Sequence, residues 1–255
     1  MTLQEFVFDL PLYTKVKMSE NPDILNDLCR YDMRIDGYNP HKGIDSTYGL
    51  YDRLDPDYLF GHGIKQVQFR CKRHDDPLFV LIQYDKSQDF IEKVGQYPSV
   101  ADIHIAQVKK YRKVLGESYI RDFTKAIGLA ANGVGTGSFV YLRRIFEHLV
   151  FEVSRQAISS GEFSENDFAI AKMDKKLKML ENHLPEVLKD NKVLYGVLSK
   201  GIHELPEEDC LKYFSVVREI IELILDEFEF ARQKEEKIKA AKNRLTAVAG
   251  EINNK

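Results

Sequence analysis

Arg143, Arg144, Glu147 and His148 fall within six positions of the chain. A guanidinium neutralises phosphate in a forked geometry, and an imidazole titrates near neutral pH. An Arg–His pair could therefore hold a phosphodiester and move a proton, while Arg143 and Glu147, four residues apart, also suit a structural ion pair. Lys200 and His203, with Glu204, form a second polar group in Ser199-Lys-Gly-Ile-His-Glu-Leu-Pro206. Gly201 could end a helix there and His203 meet its terminal carbonyls, or the corner could lie beside the Arg143 helix and complete a site. Cys71-x2-His74, after Asn39-Pro-His-Lys42, has the spacing of half a zinc knuckle. His41 and His62 could complete four ligands, but Asn39 and Lys42 are not zinc ligands of the usual kind, so neither a metal nor another cofactor is expected. Lys109-Lys-Tyr-Arg-Lys113 reads as a solvated basic helix face that could also steer RNA or another polyanion.

These groups need elements to hold them. Phe139, Leu142, Phe146, Leu149, Val150 and Val153 follow one another mostly at spacings of three and four, the apolar stripe of one helix. At about 100° per residue, Arg143 sits on the border of this stripe and Arg144 nearly opposite it, with Glu147 and His148 on either side of Arg144. The wheel predicts that His148 points away from the core, as plain surface or as part of a site between two subunits. Ser138 is the predicted N-cap and Gly161 the predicted stop. In front of the helix stands Gly133-x-Gly135-x-Gly137. Its amides could cradle a phosphate, but the run lacks a Gly-Lys-Ser/Thr ending and follows a helix, which favours a tight turn with positive φ.

The chain changes period near residue 99. Before it, Phe6 to Met18 alternates as a half-buried strand, and Ile64 to Lys72 and Leu78 to Tyr84 flank His74-Asp-Asp-Pro77 as a β-hairpin. After it, predicted helices cover roughly 100–115, 117–131, 138–160, 165–184 and 192–200. Pro206 opens a sixth, with Glu207, Glu208 and Asp209 in its first turn and Cys210, Phe214, Val217, Ile221, Ile224, Leu225 and Phe228 as its core stripe. Further on, Ile238, Ala241, Leu245, Val248 and Ile252 step by three and four, a seam about two heptads long that suits self-association. The expectation is an α+β chain: a β-rich N-terminal module over residues 1–90 and a mainly antiparallel helical bundle with a helical tail over 91–255.

The 255 residues are 44% hydrophobic and 30% charged, with a net charge of -3. That balance argues against wholesale coating of nucleic acid, and the apolar runs fall far short of the about 18 residues a membrane span needs. Met-Thr-Leu-Gln-Glu-Phe at the start has no basic region leading into an apolar run, and three scattered cysteines make no disulfide framework. A cytoplasmic protein without membrane partners is expected.

From roughly residue 90 to 229 the chain resembles a group of bacterial proteins with a HEPN-like helical bundle. The resemblance is carried by Lys93-Val-Gly-Gln-Tyr-Pro-Ser99, by Gly133-Val-Gly-Thr-Gly-Ser-Phe-Val-Tyr-Leu-Arg-Arg-Ile-Phe-Glu147 and by Leu198-Ser-Lys-Gly-Ile-His-Glu-Leu205. In similar proteins a small zinc ribbon often precedes the bundle. Here it would be degenerate, with Asn39 and Lys42 where a first cysteine pair would stand and His74 where a fourth cysteine would. HEPN nucleases carry Arg, four to six residues, then His, usually facing a dimer interface, and Arg143-x4-His148 matches that spacing. They cleave RNA without metal, and many act in toxin or phage-defence systems. The Arg143 segment can instead belong to an early bundle helix, which would make His203 the histidine of interest, and many HEPN-like proteins are non-catalytic. The resemblance thus implies a bacterial intracellular homodimer. It would be a metal-independent RNase acting through Arg143, Arg144, Glu147, His148, Lys200 and His203, or else a non-catalytic module that binds a protein partner through its bundle and C-terminal helix.

Overall fold

The computed structural model describes residues 1–51, 55, 58, 61 and 63–253, with side chains through 249. Among these residues, β1 (Val16–Lys17), β2 (Arg34–Asn39), β3 (Ile44–Leu50), β4 (Ile64–Cys71), β5 (Pro77–Asp85) and β6 (Phe90–Tyr97) form one sheet. The order is β1-β6-β5-β4-β3-β2 and every pairing is antiparallel, so β2 to β6 make a meander and β1 closes its far edge. The expected hairpin is β4–β5, with Val67 opposite Val80 and Phe69 opposite Leu78. Val67, Phe69 and Cys71 are buried, while Gln66, Gln68 and Arg70 between them are not, which is the alternation that announced the strand.

The same period misleads at the N-terminus. Residues Leu3–Phe8 form a helix, α1, and only Val16–Lys17 of the expected Phe6 to Met18 strand joins the sheet. Thr2 and Glu5 make a capping box, and Leu3, Phe6 and Val7 at i, i+3 and i+4 bury one face. Six residues hold less than two turns, and the burial of Phe8 and Leu10 completes a chance alternation. α1, α2 (Asp23–Leu28) and Ile103 cover the inner face of the sheet, around Ile35, Val67, Phe69 and Ile91.

The helical half starts where expected. Ser99 and Asp102 make a second capping box at the head of α3 (Val100–Val108). A short 3-10 turn leads into α4 (Arg112–Ala131), which is broken at Gly116 with φ at 70°, the boundary between the two helices expected there. α5 (Gly135–Ser159) is the centre of the bundle, packed by α4, α9 (Leu194–His203) and α10 (Glu207–Asn253). Its stripe from Phe139 to Val153 is buried as the wheel predicts, and Gly161 follows its end with φ at 78°.

Two expectations change. Because α5 begins at Gly135, Ser138 is not its N-cap; Ser138 is buried within the first turn and its hydroxyl donates to Gly135 O at 2.5 Å. The segment 165–184 is not one helix but α6 (Glu165–Ile170) and α7 (Met173–Met179), separated by extended backbone at Ala171 and Lys172. That break lets Phe168, Leu177, Leu180 and Leu184 all reach the core. After α8 (Glu186–Asp190) and α9, α10 runs unbroken for 47 residues. Its first half carries the expected stripe from Cys210 to Leu225 in the bundle core, with Phe228 packed against it. From 233 to 249 every side chain is exposed. Among the described residues, no helix is long and apolar enough to cross a membrane.

Candidate functional site

The Arg143 helix distributes its polar groups between two neighbours. Arg143 Nε lies 2.9 Å from Glu147 Oε1, the ion pair that the spacing predicts. Its Nη2 donates to the Tyr195 hydroxyl of α9 at 2.7 Å, and the guanidinium sits 5.0 Å from the centre of that ring. A groove of about 300 Å³ runs alongside, lined by Glu147, Phe151, Lys172, Lys176 and Tyr195 among others. Arg144 engages α4 instead, with Nη2 3.1 Å from the buried carboxylate of Asp122. His148 does not point away from the core. Its ring stacks on Tyr119 of α4, centroids 3.8 Å apart and planes 7° apart, and only 13% of the side chain is exposed. Burial lowers its pKa below the usual histidine range. The wheel missed this because α4 covers the flank it assigned to solvent. Among the described residues, no hydrogen bond or ion pair joins Arg143 to His148.

The corner at residues 199–206 also differs from its expected form. α9 runs past Gly201 to His203, so Gly201 is not the helix stop; it is buried where an added Cβ would collide with the Phe139 ring. The amides of Glu204 and Leu205 donate to Lys200 O at 2.7 and 2.9 Å and close the helix. The side chains of Lys200 and His203 are exposed. With Tyr195 against Phe146 and Gly201 against Phe139, α9 runs antiparallel to α5, and His203 lies near the start of α5, away from Arg143.

The glycine run is a tight interhelical turn. Gly133 has φ at 79°. A Cβ on Gly135 would lie 2.6 Å from Glu207 O and 2.8 Å from Cys210 Cβ, so glycine allows the starts of α5 and α10 to touch. The Glu207 carboxylate accepts from the Gly135 amide and, at 3.0 Å, from the Thr136 amide. The anion at this helix start is therefore a side chain of the protein itself.

In the sheet module, Cys71 belongs to the buried core and His74 is exposed in the following turn. Asn39 is buried; its Nδ2 donates to Asp76 at 2.9 Å, and its Oδ1 accepts from the His41 amide at 3.0 Å. Among the described residues no three His, Cys, Asp or Glu side chains converge, and His62 lies outside those residues. In the basic run, Lys110 pairs with Asp226 at 2.9 Å and Arg112 with Glu117 at 3.5 Å, while the buried Tyr111 donates its hydroxyl to Asp226.

No family model, curated protein or solved structure matches the chain.

A grouping that sequence reasoning missed lies where the sheet module meets the bundle. Asp9 follows α1, Lys93 is on β6, His104 on α3 and Arg218 on α10. Lys93 is fully buried, its Nζ donating to Val7 O and Gln96 Oε1, both at 2.9 Å, and burial pulls its pKa down to about 7. His104 Nδ1 is 3.1 Å from Gln107 Oε1, and its Nε2 is 3.6 Å from Asp9 Oδ1. Burial, with the nearby Arg218 charge, presses the His104 pKa down to about 4, and burial raises that of Asp9. Arg218 Nε lies 3.1 Å from Glu222 Oε1. Between these groups is a cavity of about 100 Å³, walled by Asp9, His104 and Arg218 and by Val100, Ile127 and Phe214. Past Asp9 and Leu211 it adjoins a cleft of about 710 Å³ that Tyr13 and Lys212 also line. No motif could announce a site drawn from positions 9 to 218. Its one trace in the sequence is ionisable residues set among apolar ones, as Glu92 and Lys93 in Phe90-Ile-Glu-Lys-Val94 and His104 in Ile103-His-Ile105.

Proposed function

We propose that this chain is a HEPN-like interaction module that pairs with a second copy of itself through the far end of α10. The observation that carries this reading is the apolar stripe of Ile238, Ala241, Leu245 and Val248 on a stretch of helix that no other element covers among the described residues. Ile238, Leu245 and Val248 are 49%, 70% and 50% exposed. Spacings of three and four suit knobs-into-holes packing against an identical helix, which would bury each seam in the other. Leu223 and Phe230, also exposed, extend the apolar surface toward the body. The Arg143 helix favours binding over cleavage, since Arg143, Arg144 and His148 each hold an intramolecular partner on α5, α9 or α4. Light scattering of the full chain is expected to give a dimer that dissociates on dilution. Leu245→Asp and Val248→Asp should leave a monomer with the circular dichroism of a folded body. A parent that stays monomeric at every concentration overturns the reading.

A metal-independent endoribonuclease of a toxin or phage-defence system, working as a dimer, is the second reading. It draws on the positive charge that Lys172 and Lys176 place around the groove next to Arg143. A histidine acting as general acid or base is worth roughly 10²–10⁴-fold in rate. On this reading the parent cuts mixed cellular RNA in the presence of chelator, and Arg143→Ala together with either His148→Ala or His203→Ala nearly abolishes the cut. An inert parent leaves the interaction module.

A further inference from the structure

We propose that the outer face of the sheet, opposite α1 and α2, binds single-stranded nucleic acid. The register sets Tyr51, just past β3, in one row with Gln68, Phe79 and Tyr97. The Tyr51 amide donates to Gln68 O, Gln68 is opposite Phe79, and Phe79 is opposite Tyr97. Leu50, Phe69, Leu78 and Val80, next to these residues along their strands, are buried in the core of the inner face. Side chains alternate along a strand, so the row faces outward. Tyr51 and Tyr97 are 51% and 57% exposed, and Leu81 in the next row is 37% exposed.

A cluster of cations stands beside the row. Gly49 of β3 is opposite Arg34 of β2 and Arg70 of β4. A Cβ on Gly49 would lie 2.8 Å from Lys72 Nζ and 3.0 Å from Arg34 Nη1. The two cations are therefore within about 6 Å of each other, where like charges repel. Arg34 Nη1 donates to Met33 O at 3.1 Å, and neither side chain has an ion pair among the described residues. The nearby carboxylates are engaged elsewhere: Asp36 accepts from Thr47 at 2.6 Å, and Asp75 pairs with Arg70 at 2.7 Å. Two cations held together in this way suit a phosphate, which accepts from both. A cleft of about 560 Å³, lined by Tyr51, Arg70, Lys72, Arg73, His74 and Asp75 among others, joins this cluster to the first ring of the row. The Arg70 guanidinium, 4.5 Å from the centre of the Tyr51 ring, steadies that ring.

Cations beside open aromatic rings match the chemistry of a nucleic-acid strand. Bases of any identity stack on such rings, because each has a π-face, while the cations follow the backbone. Unpaired bases offer those faces; in a duplex the stack hides them. The row crosses four strands, roughly 14 Å, and a sheet of that width elsewhere holds two or three bases. The Gln68 amide within the row can both donate to and accept from a base edge. An acidic peptide would answer the cations and leave the rings without bases. The proposal rests on neither the α10 seam nor the groove beside Arg143.

The test is fluorescence anisotropy of the full chain with labelled oligothymidylate of about 12 nucleotides, a length that single-strand sites cover. DNA lacks the 2′-hydroxyl that an RNase uses, so the measurement is the same whether or not the chain cuts RNA. Binding is expected at micromolar concentration in low salt, weakening as salt rises. The same strand paired with oligodeoxyadenylate, and a poly-glutamate peptide, should bind at least about tenfold more weakly. Tyr51→Ala with Tyr97→Ala should weaken the single strand about fivefold or more and leave its salt dependence unchanged. Arg34→Gln with Lys72→Gln should weaken it and flatten the salt dependence. Lys175→Gln with Lys178→Gln, an equal loss of charge on α7, should change nothing. Circular dichroism checks that each variant is folded; where one is not, the parent's choice among strand, duplex and peptide decides. Absence of binding overturns the proposal, as does equal binding of duplex or peptide. So does undiminished binding in both sheet variants, or as large a loss in the α7 variant.

Discussion

At the scale of single residues, Lys93 is most at odds with its surroundings. Among the described residues its ammonium donates to the neutral oxygens of Val7 and Gln96, with the Phe6 ring 5.9 Å away and the charges of Asp9 and His104 acting on it without a direct hydrogen bond. The folded pKa of about 7 lies below the ordinary 10.5 of the unfolded chain. Between those values the unfolded chain holds a proton that the folded one has released, so this group makes stability rise with pH across that window. Its cost is fully present below the folded pKa. The slope approaches about 1.4 kcal/mol per pH unit. Lys93→Met should therefore stabilise the protein at mildly acidic pH and flatten the rise above neutrality; urea unfolding at a series of pH values checks both. Sequence reasoning reaches some residues and not others for a plain reason. The Arg143–Glu147 pair follows from spacing along one helix, whereas the Tyr119–His148 stack depends on which neighbour covers the flank, and the wheel carries no information on that.

At the scale of elements, the closest packing is at glycines. Alanine is the better helix former by up to about 1 kcal/mol. Gly128 on α4 and Gly196 on α9 have open space where a Cβ would stand, so Ala there should stabilise by about 0.4–1 kcal/mol. Gly201 faces the buried Phe139 ring, and overpacking costs about 1–3 kcal/mol. Gly201→Ala should therefore destabilise despite its propensity. Thermal melts of the three variants test this, and a Gly201→Ala protein as stable as the parent would mean that α9 does not press on α5 there. The long stripes of α5 and α10 were readable because many turns repeat one signal. α1 was not, with only six residues. β6 was missed because its first four residues, Phe90, Ile91, Glu92 and Lys93, are all buried, which erases the alternation that marks a strand.

At the scale of the whole molecule, the change of period near residue 99 announced the α+β plan, whereas the junction cavity exists only once α1, α3 and α10 have met. One contact of the bundle also bears on time. Gly135 and Glu207 stand 72 positions apart, yet a single carboxylate serves the first turns of both α5 and α10. Hydrogen bonds from Thr136 and Gly135 hold its pKa below the ordinary 4.5. Its contribution is thus present above that value and fades as pH falls through the lower folded one. Closing a loop of that length carries an entropic cost, so the contact is expected to form late, once α6 to α9 have drawn the two ends together. Glu207→Gln should then hasten unfolding and leave the refolding rate nearly unchanged, a φ-value close to zero in a stopped-flow chevron. A slowed refolding limb would place the contact in the nucleus instead. On that expectation this corner governs how long a folded molecule persists, not how quickly it forms.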